Sequence, residues 1–176
     1  YDAARRGVDA DAMCAALANV PAGDVVLLHV CCHNPTGADL DAAGWARVAD
    51  VAAKAGWFPF FDFAYQGFGD GVAEDRAGLR TVLQKVPEAL VASSFSKNMG
   101  LYGERVGALL LVAESAQAAG AAFSQVKRII RTVYSNPPKH GGALARMVLD
   151  DAELRELWLQ EVEAMRARIA GNRQLL

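Results

Sequence analysis

Several things are scarce in this 176-residue chain. It has no apolar run approaching the roughly 20 residues that cross a bilayer, and no excess of one charge: 18 Lys and Arg stand against 20 Asp and Glu, a net charge of −2. That balance leaves no electrostatic footprint for nucleic acid or an anionic membrane surface. Residues 1–25 contain Asp2, Arg5, Arg6, Asp9 and Asp11 and lack the apolar centre of a secretory signal peptide. There are only three cysteines, Cys14, Cys31 and Cys32, and the adjacent pair makes no CxxC motif. We expect a reduced, cytoplasmic protein in which they are small core residues. The three histidines, His29, His33 and His140, have no metal-ligand spacing, so no metal is expected.

What is present suits a globular domain with a real core: 53% apolar residues and 22% charged. The chain opens at Tyr1-Asp2 and stops at Gln174-Leu175-Leu176 inside a helical pattern. We therefore expect an internal piece of a longer polypeptide. Four short apolar runs read as strands: 25–30, 58–63, 90–94 and 107–113. The first and last are almost continuously apolar, which predicts burial on both faces of a parallel-type sheet. Pro59 falls near the start of its run, where a strand tolerates proline.

Helical spacing lies between and after these runs. Residues 41–55 put Leu40, Trp45, Val48, Ala49 and Ala52 on one stripe, with Asp39 or Asp41 as N-cap and Gly56 as the stop. Residues 114–134 form a second pattern, ended before Pro137-Pro138. From Asp151 onward Leu154, Leu157, Trp158, Val162, Met165 and Ile169 recur at helical spacing, with acids early and bases late. The alternation predicts an α/β fold: three layers, a mostly parallel sheet with helices on both faces.

In such sheets ligands bind beyond the carboxyl ends of the strands, and three of those ends are chemically loaded. The first is His29-Val30-Cys31-Cys32-His33-Asn34-Pro35-Thr36-Gly37. The proline biases Asn34 to an extended backbone; alone, this segment is equally an ordinary turn. The second carries Asp62 and Tyr65. A carboxylate closing so apolar a strand needs a cation or several donors, although helix capping would also account for it. The following Gly67-Phe68-Gly69-Asp70-Gly71 fails the GxGxxG pattern at Val72 and is flanked by acids, which argues against a dinucleotide loop. The third is Ser93-Ser94-Phe95-Ser96-Lys97-Asn98, with Arg105 eight residues beyond Lys97. Serine hydroxyls and a forked guanidinium suit a phosphate dianion, and a lysine amine beside them can form an imine. An exposed lysine near an Arg105–Glu104 contact is the plainer reading of that loop alone.

Together the loops supply one cofactor, pyridoxal 5′-phosphate (PLP). It needs a lysine for the imine, a carboxylate to keep the pyridine nitrogen protonated, donors to the ring oxygen, and a phosphate cradle. Lys97, Asp62, Asn34 with Tyr65, and Ser94 with Arg105 fill those places. A buried carboxylate–pyridinium bond contributes about 1.5–3 kcal/mol and keeps the ring an electron sink.

These stretches, HVCCHNPTGADL (29–40), DFAYQGFGDG (62–71), SSFSKNMGLYGERVGAL (93–109) and RTVYSNPP (131–138), closely resemble the class I aminotransferases of the aspartate and aromatic amino-acid type. The resemblance implies that Lys97 carries the cofactor as a Schiff base and shuttles the substrate Cα proton. It implies that Asp62 pairs with the pyridine nitrogen, that Asn34 and Tyr65 bind the ring oxygen and lower the imine's proton affinity, and that Ser94 and Arg105 hold the phosphate. Asn34 also belongs to the substrate site in this reading. Arg131 matches the arginine that reaches the neighbouring subunit of a homodimer and pairs with the distal carboxylate of a dicarboxylic substrate. His29 and His33 are expected to support the site, not to act as bases.

Gly103 stands where many aspartate-preferring relatives have asparagine, which gives the loop more the wording of the bacterial aromatic branch. The resemblance also implies absences: an earlier phosphate-binding turn, an aromatic that stacks on the pyridine, and a later arginine for the substrate α-carboxylate. Residues 1–150 are then a partial PLP-binding large domain and 151–176 a long helix leading toward the small domain. The implied activity is ping-pong transamination of aspartate and/or aromatic amino acids with 2-oxoglutarate. The alternative for the chain as it stands is a non-catalytic cofactor-binding or dimer-interface module. A PLP decarboxylase or lyase is disfavoured by the RTVYSNPP arginine segment.

Overall fold

The computed structural model describes residues 1–175. In chain order its elements are α1 (Ala10–Leu17), β1 (Val25–His29), α2 (Ala42–Ala55), β2 (Phe58–Phe63), a 3₁₀ turn (Glu74–Arg76), α3 (Ala77–Leu83), β3 (Ala89–Ser94), β4 (Gly107–Val112), α4 (Ala116–Val133), α5 (Lys139–Asp150) and α6 (Ala152–Arg173). The strands form one sheet in the order β1-β2-β3-β4. The first three are mutually parallel, and β4 runs antiparallel to β3. This is the expected mostly parallel α/β sheet.

The crossovers β1-α2-β2 and β2-α3-β3 step the same way across the sheet, so one handedness lays both helices on one face. Leu28, Phe61 and Val91 stand in register on that face and pack with Trp45, Val48 and Val82 in the principal core. Phe61, Val48 and Val82 are completely buried, and each such side chain contributes about 1.5–3 kcal/mol. Helix α2 starts where Asp41 Oδ1 accepts from the Gly44 amide at 2.7 Å and ends at Gly56 in the left-handed conformation. Asp41, not Asp39, is therefore its N-cap.

One expectation needs correction. Strands β1 and β4 are the edges of the sheet, and neither is buried on both faces. Val25 and Leu27 are 63% and 59% exposed, Leu109 and Leu110 44% and 50%. The layer α1–α3 covers one face only, so the continuous apolar runs do not report two-sided burial among the described residues. Helices α1, α3 and α5 had no expectation. At 8, 7 and 12 residues they are shorter than the other helices, and α1 is almost wholly apolar, so its sequence sets no clear period.

The antiparallel turn into β4 is tight. A Cβ on Gly107 would lie 2.5 Å from the Ser93 carbonyl oxygen, far inside van der Waals contact. We predict that Gly107→Ala costs about 1–3 kcal/mol of unfolding free energy as β4 is forced off β3. Chemical denaturation measures this, and an unchanged midpoint would mean that the strands separate without strain.

Candidate active site

Residues His29, Asp62 and Ala92 align across the three parallel strands, so the loops after β1, β2 and β3 leave the same sheet edge. Because β4 is reversed, its first residue, Gly107, pairs with Ser94, the last of β3. The Phe95 amide also donates to the Val106 carbonyl at 3.3 Å. Arg105 is thereby returned to the edge from which Ser94 emerges. The carboxyl-end rule thus collects Asp62, Ser94, Lys97 and Arg105 from separate parts of the chain.

A cavity of about 1170 Å³ opens at this edge, lined among others by Cys32, Asn34, Tyr65, Lys97 and Tyr102. The Lys97 Nζ lies 5.0 Å from the Tyr65 ring centroid and 6.0 Å from that of Tyr102. Helix α6 forms the opposite wall through Leu157, Trp158, Glu161, Met165 and Arg168. Asp62, Ser94, Arg105 and Arg131 are not part of this wall. Asp62 is half-buried, with Oδ2 3.8 Å from His29 Nε2. Ser94 Oγ accepts from the Ser96 amide at 3.1 Å. Arg105, exposed and in a left-handed backbone (φ 51°), donates from Nη1 to the Tyr102 carbonyl at 3.2 Å. Glu104 bonds His140 Nδ1 at 2.9 Å instead of Arg105. Arg131 sits in the last turn of α4, exposed and bonded to Ser135 Oγ.

Internal carboxylates shape the loops. Asp39 accepts from the Cys32 and His33 amides at 2.6 and 2.8 Å, which fixes the turn presenting Asn34. His29 Nδ1 accepts from the Asn34 amide at 3.5 Å, so this ring contacts both Asn34 and Asp62. Asp75, buried at 8% exposure, accepts from the amides of Gly67, Gly69, Asp70 and Gly71 at 2.7–3.3 Å. The glycine loop therefore wraps a carboxylate of its own chain and presents no phosphate cradle. Sequence reasoning missed Asp75 because the signal, an acid a few residues after a glycine cluster, had been read only as repulsive charge. Tyr102 and Asn98 were also missed. They lie in the lysine loop, but nothing in their spacing distinguishes them from its other residues.

Donor chemistry passes the test for PLP. The amine of Lys97, the amide of Asn34 and the phenol of Tyr65 face one cavity, and the carboxylate of Asp62, the hydroxyl of Ser94 and the guanidinium of Arg105 emerge at the same sheet edge. Gly103 has open space where a Cβ would stand, so packing does not impose glycine there.

Sheet edge, lysine loop and carboxylate together are the parts of a site that could hold a pyridoxal cofactor. The chain belongs to the class I and II aminotransferase family, whose model matches residues 1–176. It is 54% identical to the aspartate aminotransferase of Haemophilus influenzae over 99% of this chain and 44% of that protein. Against the aromatic-amino-acid aminotransferase of Pseudomonas aeruginosa the identity is 49%, covering 98% of this chain and 43% of that protein. The crystal structure of the Burkholderia pseudomallei aromatic-amino-acid aminotransferase, covalently bound to pyridoxal phosphate, superposes with a TM-score of 0.96 at 49% identity. It covers 99% of this chain and 44% of that one. The chain thus spans less than half the length of these relatives, and both substrate types match at nearly equal identity.

The site generates two predictions. Asp75→Ala should cost at least about 2 kcal/mol and strip hydrogen-exchange protection from the Gly67, Gly69, Asp70 and Gly71 amides; retained protection would show that the loop holds itself. The second concerns the paired thiols. The hydrogen bond between them, more than burial, raises the Cys31 pKa, and the same bond holds Cys32 below the usual thiol range. Alkylation at neutral pH should therefore label Cys32 before Cys31, as peptide mapping over time would reveal. Faster labelling of Cys31 would reverse the assignment.

Proposed function

We propose that this chain is the later part of the cofactor domain of an aminotransferase. The enzyme exchanges amino groups between aspartate and/or aromatic amino acids and 2-oxoglutarate by a ping-pong mechanism, with PLP held on Lys97. The observation that carries this reading is the single cavity faced by Asn34, Tyr65 and Lys97, at the edge where Asp62, Ser94 and Arg105 emerge. The covalently bound pyridoxal phosphate of the Burkholderia pseudomallei relative supports it.

PLP, when bound, supplies a protonated ring that takes up the electron pair released at the substrate Cα. The chain's own residues do the rest. Lys97 would hold the cofactor through its amine and, as a free amine, would take up the proton released at the substrate Cα. Asp62 keeps the ring nitrogen protonated, and the adjacent His29 ring orients that carboxylate. Asn34 and Tyr65 donate to the ring oxygen, and Asn34 borders the substrate. Ser94 and Arg105 hold the phosphate. Arg131 projects to the neighbouring site of a homodimer and binds a distal carboxylate. The exposure of Phe123, Ile129 and Val133 on the same helix, at 50%, 60% and 70%, supports a second subunit there. Residues 1–150 form the partial large domain, α6 (Ala152–Arg173) leads toward the small one, and the enzyme is cytoplasmic.

A second reading applies to the 176-residue chain alone: a cofactor-binding or dimer-interface module without turnover. It rests on the missing counterparts of the stacking aromatic and the α-carboxylate arginine. Borohydride trapping of PLP on Lys97 followed by a turnover assay separates the two, and appreciable turnover by the chain alone excludes the module.

Glutamate or aspartate added to the full-length enzyme without an oxo acid should convert its PLP spectrum in one half-reaction; no conversion by any amino acid overturns the proposal. Arg131→Leu should lower kcat/KM for aspartate by an amount equivalent to about 2–5 kcal/mol of transition-state binding, and for phenylalanine much less. Equal losses would remove Arg131 from that role.

A further inference from the structure

Asn98 follows the candidate imine lysine and is 3% exposed. Its Nδ2 donates to the Gln66 carbonyl at 3.1 Å, next to Tyr65, and Gln66 Nε2 in turn donates to the Val72 carbonyl at 2.8 Å. Its own carbonyl accepts from Trp158 Nε1 of α6 at 2.7 Å. One residue therefore ties together the lysine loop, the tyrosine loop and the helix across the cavity. Its Oδ1 is buried with no hydrogen-bond partner. Burying an unpaired amide oxygen destabilises the fold, so an apolar side chain of similar size would be preferred if filling space were the only demand.

Helix α6 also touches the tyrosine loop directly. A Cβ on Gly67 would come within 2.6 Å of Val162 Cγ1, and Val162 is 1% exposed. Gly67 has φ 99°, so the loop meets the helix with its backbone bare. Trp158 and Val162 are one helical turn apart, so a shift of α6 moves both loops at once. The turn Lys97–Gly100, closed by the Gly100 amide on the Lys97 carbonyl at 3.1 Å, makes the lysine follow Asn98.

We propose that Asn98 is a positioning residue through which α6, by way of Trp158, sets the placement of Lys97 relative to Tyr65. The proposal rests on the reading of Lys97 as the PLP lysine. It makes α6 a mechanical partner of the site as well as a wall of its cavity. Displacement of the helix is transmitted to the amine through two hydrogen bonds, one from Trp158 to the Asn98 backbone and one from the Asn98 amide to the tyrosine loop.

Two variants of the full-length holoenzyme test it. Asn98→Leu removes the donor to Gln66 and the orphaned oxygen while keeping the branched shape of the side chain. Trp158→Phe removes the indole N–H, together with part of the ring system, and keeps an aromatic side chain on α6. The readouts are the pKa of the PLP–Lys97 Schiff base from its absorbance, the kcat and KM with aspartate, and the melting temperature. Both variants should raise the Schiff-base pKa, by roughly half a unit or more, because Tyr65 no longer sits correctly to donate. Both should lower kcat by on the order of 10- to 100-fold with KM little changed. An unchanged Schiff-base pKa in either variant, whatever happens to melting, reduces the residue to a packing role and overturns the proposal. If the unsubstituted enzyme yields no borohydride-reducible PLP adduct at Lys97, the functional reading falls and the proposal with it.

Discussion

Strand β4 runs against β3, and much of the candidate site follows from that reversal. In a wholly parallel sheet the segment after the lysine loop would have to cross back to the amino ends of the strands before starting again. Arg105 would then be carried away from Ser94. The antiparallel return needs no crossover. Gly107 pairs with Ser94, and the missing side chain at Gly107 lets the two backbones approach. A hydroxyl and a guanidinium that are eleven positions apart in sequence meet at the same edge as the carboxylate that closes β2.

Backbone amides around the site are then committed by carboxylates of the chain itself. Asp75 takes four of them from the glycine loop, and Asp39 takes two from the turn before Asn34. A loop with satisfied amides has few other conformations to adopt, so Tyr65 and Asn34 are presented by fixed turns. The half-buried His29 adds a second constraint, since one ring contacts both the Asn34 amide and the Asp62 carboxylate. Rigid presentation favours a cofactor site, where reacting atoms must be held in place before chemistry starts.

How much of this was legible in the sequence depended on whether the signal was local. The stripe of Trp45, Val48, Ala49 and Ala52 marked α2 to within a residue, because one face of that helix is buried. Asp62, Lys97 and Asn34 were visible as polar residues at the ends of apolar strands, where they need a reason to be. Strand order and the direction of β4 left no local trace: Gly107–Val112 reads the same in either direction. Asp39, one of two N-cap candidates for α2, instead accepts from the Cys32 and His33 amides, a contact within the preceding loop that no helical spacing marks. Asn98 could not be singled out, because its partners, Gln66 and Trp158, lie 32 and 60 residues away.

The same absence of non-local information explains the misjudged strands. A continuous apolar run states that a strand is to be covered, not by what. In this chain α1–α3 cover one face of the sheet, while Val25 and Leu27 on β1 and Leu109 on β4 remain largely exposed. Exposed apolar residues in that number, together with Phe123, Ile129 and Val133 on α4, exceed what a free-standing surface usually carries. The relatives are more than twice as long as the aligned region, so they contain further chain that could cover such a face. The open face and the site share the edge strands: the loop carrying Asn34 leaves β1, and Arg105 enters β4, so the strands that leave apolar side chains exposed are the ones that border the site.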